Sequence, residues 1–89
     1  MPEISRFLGI VITMYAEPGA RHKTPHFHAR FGESSATFEI LSGDLIVGSL
    51  PKPQLRLVEA WAILRQSELE EDWRLMIAGR SPNRIDPIK

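Results

Sequence analysis

Pro25-His26-Phe27-His28-Ala29-Arg30-Phe31-Gly32-Glu33-Ser34-Ser35-Ala36-Thr37-Phe38-Glu39-Ile40 is the stretch that decides the fold. Side chains on a strand alternate between its two faces. His26, His28 and Arg30 therefore share one face of a strand over 26–31, and Phe27, Ala29 and Phe31 share the other. A second strand reads from Ser34 to Ile40. The two residues between them, Gly32-Glu33, suit a type II′ hairpin turn with glycine first. That turn fixes a register. Phe31 faces Ser34, Ala29 faces Ala36 and Phe27 faces Phe38. On the other side Arg30 faces Ser35, His28 faces Thr37 and His26 faces Glu39. One face comes out apolar and the other polar, an agreement that a slip of one residue destroys.

Working upstream, Ile10-Val11-Ile12-Thr13-Met14 lies in a strand over about 9–15, rich in β-branched residues and apolar enough to be central and covered on much of both faces. A loop with Pro18 and Gly19 leads to Thr24, which Pro25 holds extended. Downstream, Ser42-Gly43 turns the chain into a short strand over about 44–48, and Leu50-Pro51-Lys52-Pro53 ends the sheet, since proline cannot donate to a ladder. Proline is tolerated in a first helical turn, so a helix follows over about 53–66 with Leu57, Val58, Trp61 and Leu64 as its buried stripe. Ser67 and Glu70 have the spacing of a capping box. The spacing predicts a second helix over about 68–78, with Leu69, Trp73, Met76 and Ile77 inward and Gly79 at its C-terminal end. Residues 80–89 read as extended. The sum is one α+β domain over 1–89: an antiparallel sheet of about four strands with two helices packed on one face. Phe27, Ala29 and Phe38 are expected to meet Trp61 and Trp73, leaving the histidine face open with His26 and His28 exposed.

Eighty-nine residues bury only about 60–65% of their unfolded surface, so a site is expected to be a surface groove. The chain has no cysteine, which excludes a disulfide scaffold and a thiolate metal site. The N-terminal residues lack the basic flank and long apolar run of a signal peptide. The apolar stretch from Phe7 to Tyr15 is too short to span a bilayer. The expectation is a cytoplasmic protein without a membrane partner. Net charge is zero, which argues against general coating of nucleic acid. The distribution is uneven, however. No acid stands between Glu17 and Glu33, where Arg21, Lys23, Arg30 and all three histidines fall, while Glu68, Glu70, Glu71 and Asp72 supply an acidic counterweight.

Three chemistries fit the His26–His28–Arg30 row. Two imidazoles with Glu39 across the strand suit zinc or iron with open positions, and His22 is a candidate fourth ligand. Alternatively, His26 and His28 are the base and acid of metal-free RNA cleavage, with Arg30 or Lys23 on the phosphate oxygens. A third reading is a binding module: Arg21, His22, Lys23, Arg30 and Thr37 receive a protein partner or RNA without catalysis. Beside these stands a plain solvated strand face with His26–Glu39 as an ordinary cross-strand pair. Tyr15 follows the first strand, where it can line the same groove or pack, and packing is the favoured reading.

Met1-Pro2-Glu3-Ile4-Ser5-Arg6-Phe7-Leu8-Gly9-Ile10-Val11-Ile12, Met14-Tyr15, Pro25-His26-Phe27-His28-Ala29, Leu50-Pro51, Trp61, Glu68-Leu69 and Trp73 together resemble the small bacterial proteins grouped as domain of unknown function 4160. The resemblance covers nearly the whole chain. It implies a short bacterial protein encoded beside another small gene, an arrangement that suggests a toxin–antitoxin-like pair and hence a small protein partner. Members often have a proline where this chain has Thr24, and a first-helix histidine where it has Arg65. A shared metal site that used that histidine would be incomplete here.

Overall fold

The computed structural model describes residues 2–15 and 24–88. Five strands run β1 (Glu3–Phe7), β2 (Ile10–Thr13), β3 (His26–Phe31), β4 (Ser34–Glu39) and β5 (Leu45–Gly48), followed by α1 (Lys52–Leu64) and α2 (Gln66–Ile77). The strands form one antiparallel meander in sequence order. The β3–β4 hairpin has the register that the Gly32-Glu33 turn predicts, from Phe31 opposite Ser34 to His26 opposite Glu39. Gly32 carries φ +59, the conformation its turn position demands.

The fifth strand is β1, which the sequence reading did not register. Leu8 and Gly9 turn the chain between β1 and β2 with φ of +51 and +81. A leucine in the left-handed region carries no turn signature, so the stretch from Phe7 reads as a continuous apolar run.

Alternation splits the sheet into a closed and an open face. Ile4, Phe7, Ile10, Ile12, Met14, Phe27, Ala29, Ala36 and Phe38 are buried, and Val58, Trp61 and Ala62 of α1 cover them. Phe27 stacks on Phe38 at 5.4 Å between ring centroids and meets Trp61 edge-on at 5.7 Å. Val11, Thr13 and Tyr15, on the opposite side of β2, are only half-buried. The central strand is therefore covered on one face, not on both.

The helices differ from expectation in detail. Leu64 and Ile77 are exposed, and Ala62 and Asp72 take the buried places. The capping box at Ser67 does not form. Helix α2 starts at Gln66 after the single residue Arg65 and has no side-chain cap. The Gln66 amide instead donates to the carbonyls of Ile40 and Leu41, tying α2 to the end of β4. At its other end, Arg80 N–H donates to Leu75 O and Gly79 N–H to Met76 O, the paired bonds of a glycine-terminated helix.

Residues past α2 have no regular structure but are held down. Ile85 is buried and donates its amide to Ile4 O at 2.7 Å. Trp61 Nε1 donates to Asp86 O at 2.8 Å, and Asn83 N–H donates to Asp72 Oδ1 at 2.9 Å. The tail thus lies along β1 and joins it to both helices. Among the described residues, no helix is long and apolar enough to cross a membrane.

Candidate functional site on the open sheet face

A groove of about 330 Å³ lies on the open face, lined by Val11, Thr13 and Tyr15 of the β2 side, His28, Ala29 and Arg30 of β3, Ser35, Ala36 and Thr37 of β4, and Val47 and Gly48 of β5. Each lining side chain follows from strand alternation and the register. Thr13 faces His28, which faces Thr37, which faces Val47, one row across four strands. Val11, Arg30 and Ser35 form the next row. Gly48 is required at the rim. It has φ +85, and a Cβ there would collide with the carbonyl of Ser35 and lie 2.8 Å from Ala36 Cα.

His28 is held from two sides. Its ring stacks on Tyr15 with centroids 4.3 Å apart and planes 10° apart, and its Nδ1 shares a 3.1 Å hydrogen bond with the Thr37 hydroxyl. Tyr15 is thus part of the groove as well as a packing residue. Its place on the far side of the strand containing Val11 and Thr13 is the signal that could have assigned it there.

His26 behaves otherwise. It is buried at 5% exposure, which corrects the expectation of an exposed ring. Its Nδ1 donates to Thr24 O at 2.9 Å, and Trp73 of α2 packs against it at 5.1 Å between centroids. The physical reason is that α2, anchored by Gln66 at the end of β4, carries Trp73 to the start of β3. His26 meets His28 edge-on at 5.2 Å but does not line the groove. The row of three therefore divides: His28 and Arg30 face the groove and His26 supports it from beneath Trp73.

Glu39 stands opposite His26 in the ladder and is half-buried. Among the described residues, no group of three or more histidine, aspartate or glutamate side chains is placed to hold a metal ion. Arg21, His22 and Lys23 lie outside the described residues.

The charges around the groove are uneven. Among the described residues, no acidic side chain lines it. Arg30 is exposed and makes no ion pair among the described residues, whereas Arg6, Arg56, Arg65, Arg74 and Arg84 are all paired with glutamates. Arg6, opposite Val11 in the ladder, is held by Glu3, which Arg84 also reaches from the tail at 2.9 Å. Hydrogen bonds from Arg6 and Arg84 bring the Glu3 carboxyl down to about 2. Among the described residues lining the groove, Arg30 is the cation without an ion pair.

Comparison with curated proteins and with solved structures found no match. A family model for a domain of unknown function (DUF4160) matches residues 9–74, a span from β2 to α2 that contains every described side chain of the groove. On that match the chain belongs to the DUF4160 family.

Proposed function

We propose that this chain is a binding module, the partner-engaging component of a toxin–antitoxin-like two-gene bacterial system, and that it takes its target on the open sheet face around His28 and Arg30. The observation that carries the reading is the groove itself: a concavity across four strands that, among the described residues, has no acidic lining, one arginine without an ion pair, the hydroxyls of Thr13, Tyr15, Ser35 and Thr37, and an imidazole fixed by Tyr15 and Thr37. Fixed polar groups in a concave apolar setting are the usual make-up of a recognition site. An arginine without an acidic neighbour favours an anionic ligand group.

The geometry supports binding over hydrolysis. Acid–base cleavage by the two histidines needs both rings within reach of one substrate. His26 does not line the groove, and its Nδ1 is engaged with Thr24 O.

Calorimetric titration with inorganic tripolyphosphate tests the reading. Wild type is expected to bind it saturably, and Arg30→Glu to lose the binding while keeping its melting temperature. Equal binding by both proteins would place the anion site elsewhere and overturn the proposal. The hydrolytic reading predicts a different result: RNA cut in EDTA by wild type and left intact by His28→Ala.

A further inference from the structure

We infer that the ligand of this groove is a segment of single-stranded RNA, with one base against the Tyr15–His28 pair and its phosphate at Arg30. This rests on the open face being the binding surface.

The argument begins with spacing. His28 and Arg30 are two residues apart on one face of β3, so their Cα atoms are separated by about 6.7 Å. That is the reach from a base to the phosphate of its own nucleotide. The stacked Tyr15–His28 pair gives the groove an aromatic wall at one end, and Arg30 gives it a cation at the other. A flat π-system beside a single positive charge is the arrangement by which proteins hold one nucleotide of a flexible strand. A duplex keeps its base faces inside the stack, so only an unpaired segment offers one to Tyr15 and His28.

Hydroxyls argue for RNA over DNA. Thr13 lies in the row of His28, and Ser35 in the row of Arg30. Both line the groove, Thr13 beside His28 on β2 and Ser35 beside Arg30 on β4, so a ribose held from His28 to Arg30 has a hydroxyl on either flank. A 2′-hydroxyl donates to and accepts from such groups, and deoxyribose has none to offer. The charge balance fits as well. A chain of zero net charge with one arginine without an ion pair among the described groove residues engages few phosphates. Recognition then comes from the base and sugar more than from counterion release.

Fluorescence anisotropy with labelled octauridylate and octaadenylate, and DNA octamers of matching sequence, tests the assignment. Tripolyphosphate is titrated in parallel, and each variant's melting curve is recorded. RNA is expected to bind more tightly than DNA. Tyr15→Phe retains the affinity and Tyr15→Leu lowers it about tenfold. Arg30→Ala reduces the slope of log affinity against log salt by about 0.7, the share of one phosphate on a single strand. RNA affinity indifferent to Tyr15→Leu and Arg30→Ala would put RNA elsewhere and overturn the inference. Tripolyphosphate bound through Arg30, with RNA bound no better, would also overturn it while leaving the open-face reading in place. Failure of both probes would remove both. A co-encoded protein that occupies the face and is not displaced by RNA would make the occupant a polypeptide.

Discussion

The ring of His26 is 5% exposed and packs on Trp73, while Arg30, four residues along the same face, is exposed and makes no ion pair among the described residues. These positions predict opposite effects of truncation. His26→Ala removes a buried ring and its bond to Thr24 O, and is expected to cost about 2 kcal/mol in denaturant unfolding. Arg30→Ala is expected to stay within about 0.5 kcal/mol. Alternation alone puts both residues on one polar face, so the difference was not legible in the sequence. It arises from Trp73, which belongs to another element. Asp72 is a second residue whose place the sequence did not give. It is 1% exposed, accepts from Asn83 N–H through Oδ1, and Oδ2 has no hydrogen-bond partner among the described residues. Burial pushes its carboxyl up, the Asn83 bond opposes this, and Glu68 and Glu71 add to the rise. A carboxyl raised on folding contributes stability below its unfolded range, and that contribution is lost as pH rises through the folded value. Asp72→Asn keeps the acceptor for Asn83 and removes the buried charge. Melting curves at pH 4 and pH 7 are expected to show a gain of about 1 kcal/mol at pH 7 that shrinks at pH 4.

At the scale of elements, the β3–β4 hairpin was fully legible, because a two-residue turn with glycine first and two matching alternations permit one register. The β1–β2 hairpin was not. Its turn uses Leu8 at φ +51, where leucine has no local preference and a left-handed conformation costs about 1–2 kcal/mol. Leu8 is 69% exposed, so little packing holds it there. Leu8→Asn creates the Asn-Gly pair that such turns favour and is expected to stabilise the chain by about 0.5–1 kcal/mol in thermal unfolding. The start of α2 was misplaced for a related reason. Ser67 and Glu70 have capping spacing, but the long-range bonds of Gln66 to Ile40 and Leu41 carry the helix past them.

Across the whole molecule, the tail after α2 completes a core that the sheet and α1 leave open along β1. Ile85 is 4% exposed, and its amide, the Asp86 carbonyl and Asn83 reach β1, α1 and α2 in turn. Ile85→Ala is expected to cost about 2–4 kcal/mol in denaturant unfolding, the range for a buried aliphatic side chain in a well-packed site. The tail's partners, Ile4 of β1, Trp61 of α1 and Asp72 of α2, belong to other elements, so the tail reads in sequence as plain extended chain. The site was half legible. His28, Arg30 and Thr37 follow from the hairpin register, whereas Tyr15, Thr13 and Val47 join them only once β2 and β5 are seen to flank it. The division of the sheet into a helix-covered face and an open face, whose groove has no acidic lining among the described residues, underlies the functional account.

The most direct test is an amide chemical-shift map of the ¹⁵N-labelled protein titrated with octauridylate. The account predicts shifts concentrated at Val11, Thr13, Tyr15, His28, Arg30, Ser35, Thr37 and Val47, absent from α1, and suppressed by Arg30→Glu. Shifts centred on α1, or a pattern unchanged by Arg30→Glu, would contradict it.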